Sequence, residues 1–340
     1  MHTCYLTAYA ILFIEYSAYF CRMKMLQRII SLTLLLCPWL VQAQDNAYGF
    51  LGIPSSARIY GLGGMNISTV EDNLNVTDQN PALLGSEMGG WLDFNYMRFL
   101  GNSNFAGVSF GRAAGAHSAW KAGIQYFGYG SVDETMPDGT VTGSFSPVDM
   151  AFNGSYAVDL ASRWRIGAAV KLLYSSYDSY TACAVAADLG INYYNPDRDF
   201  SFSVVGANLG GQIKKFDNMS EGLPFDLRIG MTRGVSDLPL RWSVTGYNLT
   251  RWHKGNRHIM KHVVVGLDFT PSDKFYMSIG YNYKMRSDMS GYKRSLLSGF
   301  TAGAGLSTSR FNIGVAVAQP HNGATSLMVN FGLKIADIVR

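Results

Sequence analysis

The chain has 340 residues and a formal net charge of +4, and only 15% of its residues are charged, below the roughly 25% usual for soluble domains. This weak net charge argues against nucleic acid as a partner. Abundant glycine, with 37 residues, and 13% aromatic residues are typical of outer-membrane barrels, whose strands need an apolar side chain only at every second position.

Residues 1–43 are predicted to be an upstream extension followed by a secretory signal peptide. Basic residues precede an apolar run at 29–36, and a small residue stands on the N-terminal side of the predicted cleavage between Ala43 and Gln44. The segment upstream of the signal peptide is interpreted as an over-extended start. Export is therefore expected, with the mature chain beginning at Gln44.

An alternative for the upstream extension is a transmembrane anchor at 5–20, but this run is short for a span and contains Glu15. Cleavage after the signal peptide leaves Cys183 as the single cysteine, so no intrachain disulfide can form. An exported chain without disulfides needs another source of stability. The hydrogen-bonded ladder of a closed barrel supplies one.

Residues 44–88 do not alternate between apolar and polar positions. A short helix is expected after Pro54, and Asn80 and Pro81 indicate a turn. The segment is too short to form a domain but long enough to enter a barrel. We therefore predict that it is an N-terminal plug in the lumen of a barrel formed by residues 89–340.

The rest of the chain alternates with the period of a strand. In the segment 149–159, for example, Phe152 and Tyr156 share one face, whereas Asp149 and Asn153 share the other. The predicted fold is all-β: a transmembrane barrel of about fourteen antiparallel strands, the even count placing both termini in the periplasm. The predicted strands are 91–99, 104–112, 120–127, 148–160, 164–174, 185–194, 200–209, 225–232, 240–249, 260–269, 275–283, 300–306, 311–317 and 327–335.

The expected inward face carries charge, and the strand ends carry aromatic residues, as the interface girdles of membrane barrels do. A soluble β protein with scattered core aromatics is the alternative. Three long polar connections, at 130–146, 210–223 and 251–257, are candidates for contacts with a partner. The charged inward positions are Arg165, Lys171, Asp188, Asp226, Arg228 and Asp268. The predicted girdle residues are Trp91, Trp120, Trp164, Tyr193, Tyr194, Tyr281 and Tyr283.

No catalytic, metal or cofactor site is predicted. The hydrolase-like pattern around Ser109 lies within an alternating strand, whereas that motif needs a strand-to-helix turn. Ser118 and Lys121 match a penicillin-binding pattern but should point to opposite faces of a strand. Histidines at 253, 258 and 262 are interpreted as part of a polar loop before a strand.

The predicted plug carries a family likeness, and Leu223-Pro224-Phe225 adds to it further along. The chain resembles the PorV/PorQ family of Bacteroidetes, whose barrels are similar to the fatty acid transporter FadL, and it looks most like PorQ. Asn-Leu strand endings recur at Asn208 and Asn248. The signature residues are Pro54, Ser55, Ser56, Ala57, Arg58, Leu62, Gly63, Gly64, Asn80, Pro81 and Ala82.

This resemblance implies a non-enzymatic component of the type IX secretion system in the cell outer membrane. Such a protein would anchor or scaffold the surface machinery that attaches secreted cargo, with a surface partner similar to PorZ. The alternative implied by the same likeness is a FadL-like transporter of a hydrophobic small molecule, with a lipid or detergent-like ligand in the lumen. Outer-membrane lipid is the expected partner in either case.

Overall fold

The computed structural model describes residues 48–215, 222–251, 259–272, 274–288, 297–321 and 324–335. The predicted signal peptide, with its cleavage between Ala43 and Gln44, lies outside these residues. The strands are β1 (Trp91–Arg98), β2 (Asn104–Ala113), β3 (Ser118–Gly128), β4 (Val132–Thr135), β5 (Val141–Phe145), β6 (Val148–Ala161), β7 (Trp164–Tyr177), β8 (Tyr180–Asn195), β9 (Phe200–Lys214), β10 (Asp226–Gly234), β11 (Leu240–Gly246), β12 (Val263–Ser272), β13 (Phe275–Asn282), β14 (Phe300–Ser307), β15 (Phe311–His321) and β16 (Ala324–Lys334).

Within the described residues, fourteen of these strands close into one antiparallel barrel, in which β1 pairs with β16. The remaining two, β4 and β5, form a separate hairpin. The predicted all-β barrel of about fourteen strands is therefore confirmed. The connection at 130–146, predicted as a polar loop, instead contains this hairpin, because two short runs flank the turn at Pro137, Asp138 and Gly139.

The barrel has an apolar outer face and a polar inner face. On β6, Phe152 is 45% exposed on the outside, whereas Asp149 is 0% exposed on the inside. A soluble sandwich would bury the apolar face, so this inversion argues against that alternative and is typical of membrane barrels. The predicted inward charges point into the lumen, and five of them are buried: Lys171, Asp188, Asp226, Arg228 and Asp268.

Aromatic side chains group near both ends of the outer face. Trp164 contacts Tyr193 with 5.0 Å between ring centroids, and Tyr281 contacts Phe300 at 4.9 Å. Trp91 does not belong to these groups, because it occupies an inward position and is buried. The prediction of Trp91 as a girdle residue was therefore wrong, because Trp91 lies on the inward face of β1. The prediction of Tyr194 was wrong for the same reason, because Tyr194 shares the inward face of β8 with Asp188 and Asn192.

The two ends of the barrel differ in their connections. At the turn end, where β1 begins and β16 ends, successive strands are joined by two to five residues. At the opposite loop end, four connections span 11 to 19 residues. All three predicted long connections join strands at the loop end, and residues 216–221 and 252–257 of them lie outside the described residues. No helix among the described residues is long and apolar enough to cross a membrane.

Residues 48–90, called the plug below, contact the inner wall on opposite sides. Helix α1 (Ala57–Gly61) contacts β13 to β16, and the 3₁₀ turn Pro81–Leu83 contacts β6 to β8. Further 3₁₀ turns are Gly49–Gly52, Leu74–Asp78 and Ser86–Met88 in the plug, and Pro196–Arg198, Leu249–Arg251 and Ile259–His262 between strands. Helix α2 (Tyr283–Asp288) follows β13.

The wall of the barrel is uneven. Strands β6 to β9 have 14 to 16 residues, whereas β10 to β14 have 7 to 10. Strand β10 pairs with β9 only as far as Asp226 opposite Ala207. Beyond that pair, the loop-end half of β9 is hydrogen-bonded to β8 on one side and has no strand partner among the described residues on the other.

Candidate functional site in the barrel lumen

The first signature residues start α1 and fasten it to the last strand of the barrel. Ser56 is the N-cap of α1, and its hydroxyl accepts a bond from the Ile59 amide. Asn330 on β16 accepts from the amide of Ala57 and donates to the carbonyl of Ser55 at 2.7 Å. One inward amide side chain therefore satisfies polar backbone groups at the start of this helix.

Arg58 is the charged centre of this attachment. Its guanidinium contacts Glu71 of the plug at 2.5 Å and Asp268 of β12 at 3.3 Å, and it lies 4.5 Å from the ring centroid of Tyr276. Burial lowers the pKa of Arg58, but the two carboxylates outweigh burial and raise it above its usual value. Arg58 therefore stays charged and binds both the plug and the wall.

The Leu62-Gly63-Gly64 signature lets the plug touch the wall backbone. Gly63 and Gly64 have φ angles of 102° and 83°, which side-chain-bearing residues rarely adopt. A methyl group on Gly280 of β13 would overlap the backbone of Leu62 and Gly63. The absence of side chains on both partners therefore permits this contact.

The Asn80-Pro81-Ala82 signature occupies the opposite wall. Asn80 accepts from the Ala82 amide at 2.9 Å and donates to the Ile67 carbonyl at 2.7 Å. Its turn lies against Gly167 and Gly190, where a methyl group would overlap Pro81 or Asn80. The signature residues therefore form two separate seats for the plug rather than one site. Other inward glycines that receive the plug are Gly111, Gly230, Gly266, Gly303 and Gly314.

Further buried ion pairs join the plug to the wall or lie on the inner wall itself. Lys121 of β3 is fully buried and binds Asp78 of the plug at 2.5 Å. Removing one partner of such a pair strongly destabilises the folded protein, because the other charge stays buried without a counter-ion. The remaining buried pairs are Lys171 with Asp188 and Arg228 with Asp226.

Both Asn-Leu motifs adopt the same local structure. Asn208 and Asn248 have φ angles of 58° and 54°, in the left-handed region that asparagine tolerates better than most residues. The backbone amide of each asparagine donates a hydrogen bond to an aspartate of the neighbouring strand: Asn208 to Asp188 at 2.7 Å and Asn248 to Asp226 at 2.5 Å. The motif therefore marks a kink held by an inward carboxylate. At Asn208, this kink begins the half of β9 that β10 does not pair with.

The largest apolar cluster among the described residues lies at the loop end of the lumen. We call this packed cluster the apolar chamber. Its barrel residues are Met97, Phe105, Phe127, Ala151, Leu173, Ala184, Ala186, Leu223, Ala316, Ala318 and Met328. The plug fills it with Tyr48, Phe50, Ala57 and Tyr60. The sequence did not predict this chamber, because its members come from many strands at distant positions.

Two cavities lie towards the turn end and are lined by charged side chains. One, of about 260 Å³, adjoins Arg58 and Glu71, and the other, of about 720 Å³, adjoins Arg165. Arg165 binds Asp159 at 2.6 Å and Glu87 at 3.2 Å. The lumen therefore changes from charged at the turn end to apolar at the loop end.

Among the described residues, the hydrolase-like, penicillin-binding and histidine patterns of the sequence lie where expected, on strands or in the connection before a strand. Ser109 lies inside β2 with its side chain buried, and Ser118 and Lys121 point to opposite faces of β3. His262 is buried, and its Nδ1 lies 3.1 Å from the Tyr247 carbonyl oxygen. Histidines 253 and 258 lie outside the described residues.

Comparison with solved structures gives the fold. The chain is similar to the toluene transporter TbuX of Ralstonia pickettii, with 13% identity, a TM-score of 0.56, and coverage of 85% of this chain and 100% of that one. The barrel is FadL-like. A Pseudomonas aeruginosa FadL homologue has 10% identity and a TM-score of 0.50 over 83% of this chain and 98% of its own.

The Pseudomonas putida toluene transporter TodX matches the FadL-like barrel with 10% identity and a TM-score of 0.51, over 82% of this chain and 96% of its own. At such identities the likeness shows the fold alone. No protein-family profile and no curated protein sequence matches the chain. The predicted FadL-like barrel is therefore confirmed, whereas membership of the PorV/PorQ family stays a prediction.

Proposed function

We propose that this chain is an outer-membrane barrel that moves a hydrophobic small molecule across the membrane. The apolar chamber carries this proposal, because an apolar region within a polar, ion-paired lumen is the environment such a molecule needs. The solved structures similar in fold include two described as toluene transporters. Transport was the alternative to the scaffold in the sequence interpretation, and the chamber favours it.

The wall beside the chamber supports a route for the molecule. The loop-end half of β9 has an edge without a described strand partner, and Ile213 on this half is 74% exposed. Gln212 of the same half lies 3.5 Å from the hydroxyl of Tyr48 in the chamber. A molecule that displaced Tyr48 and Phe50 would stand next to this edge.

Uptake of a labelled monoaromatic hydrocarbon tests the proposal. Cells that express the chain should take up the hydrocarbon faster than cells with an empty vector, and Phe50→Ala should raise the rate by removing a side chain from the chamber. Phe331→Ala, on the outer face, is the matched control and should change nothing. Uptake no faster than that of the empty-vector cells would contradict transport.

A test of membrane location is independent of the substrate. A closed barrel in the outer membrane should migrate faster on detergent gels before heating than after heating. It should also fractionate with the outer membrane when cells are separated. A chain that remained in the water-soluble fraction would contradict the membrane location.

A second candidate is the PorQ-like scaffold of type IX secretion. The observation that favours it is that all three long polar connections join strands at the loop end. Purification of the tagged chain from its native outer membrane tests this candidate. A stoichiometric surface protein, such as one similar to PorZ, supports the scaffold. Recovery of a bound lipid without such a protein supports transport instead.

A further inference from the structure

One buried carboxylate at the rim of the apolar chamber is held by hydroxyl groups alone. Asp149 on β6 is fully buried and accepts hydrogen bonds from Tyr129 at 2.7 Å, Tyr177 at 3.1 Å and Ser175 at 2.5 Å. No lysine, arginine or histidine among the described residues forms an ion pair with it. A buried charge is ordinarily paired, because desolvation of an isolated charge is costly.

The other buried lumen carboxylates differ from Asp149. Most form an ion pair with a basic side chain, as Asp188 does with Lys171. Asp93, which also lacks a cation within ion-pair distance among the described residues, is bonded by the Leu74 amide of the plug at 2.9 Å. Asp93 is therefore used to hold the plug, whereas the described hydrogen bonds of Asp149 come from barrel strands and the residue after β3. Those paired with cations are Asp188, Asp226 and Asp268.

Aromatic rings lead from the chamber to this carboxylate. The Phe99 and Phe127 rings are 5.9 Å apart, Phe127 and Tyr129 are 4.6 Å apart, and Tyr129 and Tyr177 are 5.6 Å apart. Phe127 belongs to the chamber, and Phe99 and Tyr129 pack against it. Aromatic faces attract organic cations, and a carboxylate among them adds a charge-assisted hydrogen bond.

We propose that, among hydrophobic molecules, the preferred substrate is an amphipathic organic cation, an apolar body with an ammonium group. Its body would occupy the apolar chamber, and its ammonium group would replace a tyrosine hydroxyl at Asp149, beside the contacting rings of Tyr129 and Tyr177. The fixed negative charge disfavours an anion of the same shape. This inference rests on the proposed transport function and names its substrate class.

Three ligands with one apolar body and different head groups test the inference. Binding of 2-phenylethylamine, 2-phenylethanol and phenylacetate to the full chain in lipid nanodiscs is measured by calorimetry, with protein-free nanodiscs subtracted. The amine should bind about tenfold more tightly than the alcohol, and phenylacetate should bind most weakly. Asp149→Asn should weaken amine binding about tenfold and leave alcohol binding within about twofold.

A control variant separates the site from the general charge of the loop end. Asp133→Asn removes one negative charge from the exposed hairpin and should leave all three affinities unchanged. Tyr129→Phe keeps the ring and should preserve the preference for the amine. Equal affinities for amine and alcohol, or equal effects of Asp149→Asn and Asp133→Asn, would overturn the inference alone. Failure of all three ligands to bind would overturn transport as well.

Discussion

At the scale of single residues, Arg58 is the signature residue that connects the plug to the wall by an ion pair. It contacts one carboxylate from each part, Glu71 and Asp268. The signature in the sequence marked Arg58 but could not identify these partners, because Asp268 lies 210 residues away. The structure shows that this position fixes the plug, so its substitution should act on stability.

We expect Arg58→Met to lower the free energy of unfolding by about 3–5 kcal/mol, because it leaves Glu71 and Asp268 buried without their cation. Denaturant unfolding of the barrel in lipid vesicles measures this loss. Arg163→Met is the control: it breaks an exposed pair with Asp197, whose side chains are 44% and 74% exposed. The control should lose less than about 1 kcal/mol, and equal losses would contradict the role of Arg58.

The same attachment has a pH dependence. Burial raises the pKa of the Glu71 carboxyl, and Arg58 opposes that shift only in part. A carboxyl whose pKa is higher in the folded state binds its proton more tightly there, so its contribution to stability grows as pH falls through the folded pKa. As the pH falls from neutral through the raised pKa of Glu71, the Tm of the wild type should rise relative to that of Glu71→Gln. A Tm difference between the two proteins that stayed constant as the pH fell would contradict a raised pKa of the Glu71 carboxyl.

At the scale of elements, inward glycines allow the plug to lie directly on the strands. Gly280 on β13 and Gly167 on β7 accept it on opposite walls. A side chain at either position would overlap the plug backbone. These two strands therefore fit the plug because glycine leaves room for it.

Gly280→Val should therefore displace the plug locally. We expect a stability loss of about 1–3 kcal/mol, as for other overpacked positions, and faster cleavage of the plug by added protease. Gly154→Val, on the outer face of β6 with no atoms close to an added methyl group, is the matched control. A Tm and cleavage rate equal to those of the control would show that the contact at Gly280 does not seat the plug.

The sequence predicted the strands well and the lumen poorly, for one physical reason. Alternation repeats within each strand, so positions such as Lys171 and Asp188 could be placed on the inward face without a partner in view. The kink at Asn208 was marked only as a repeated motif, because its left-handed backbone leaves no periodic signal. Asp149, Tyr129 and Tyr177 come from separate elements, and only closure of the barrel brings them together.

At the scale of the whole molecule, the exposed apolar belt distinguishes this barrel from a soluble one. Val170 lies on the belt within β7 and is 54% exposed, whereas Val141 lies on the separate hairpin and is 58% exposed. The two valines have similar exposure but different expected surroundings, lipid for Val170 and water for Val141.

Val170→Arg should therefore lower the free energy of unfolding in lipid vesicles by about 2–4 kcal/mol, the cost of arginine near the bilayer midplane. Val141→Arg should change it by less than about 0.5 kcal/mol, as substitutions at exposed positions do. Denaturant titrations of both variants in the same vesicles compare them. An equal, small effect of the two substitutions would contradict a lipid-facing belt.

The pairing of β1 with β16 has a consequence for how the molecule is made. The plug precedes β1, yet its helix is fastened by Asn330 on β16 and by strands close to it. Nearly the whole chain must therefore be synthesised before the plug has its complete seat, and the closing seam joins segments with the greatest separation in sequence. Pairing of β1 with β16 and binding of the plug should accordingly be the last steps of assembly. A chain truncated before β16 should form an open sheet to which the plug is not bound.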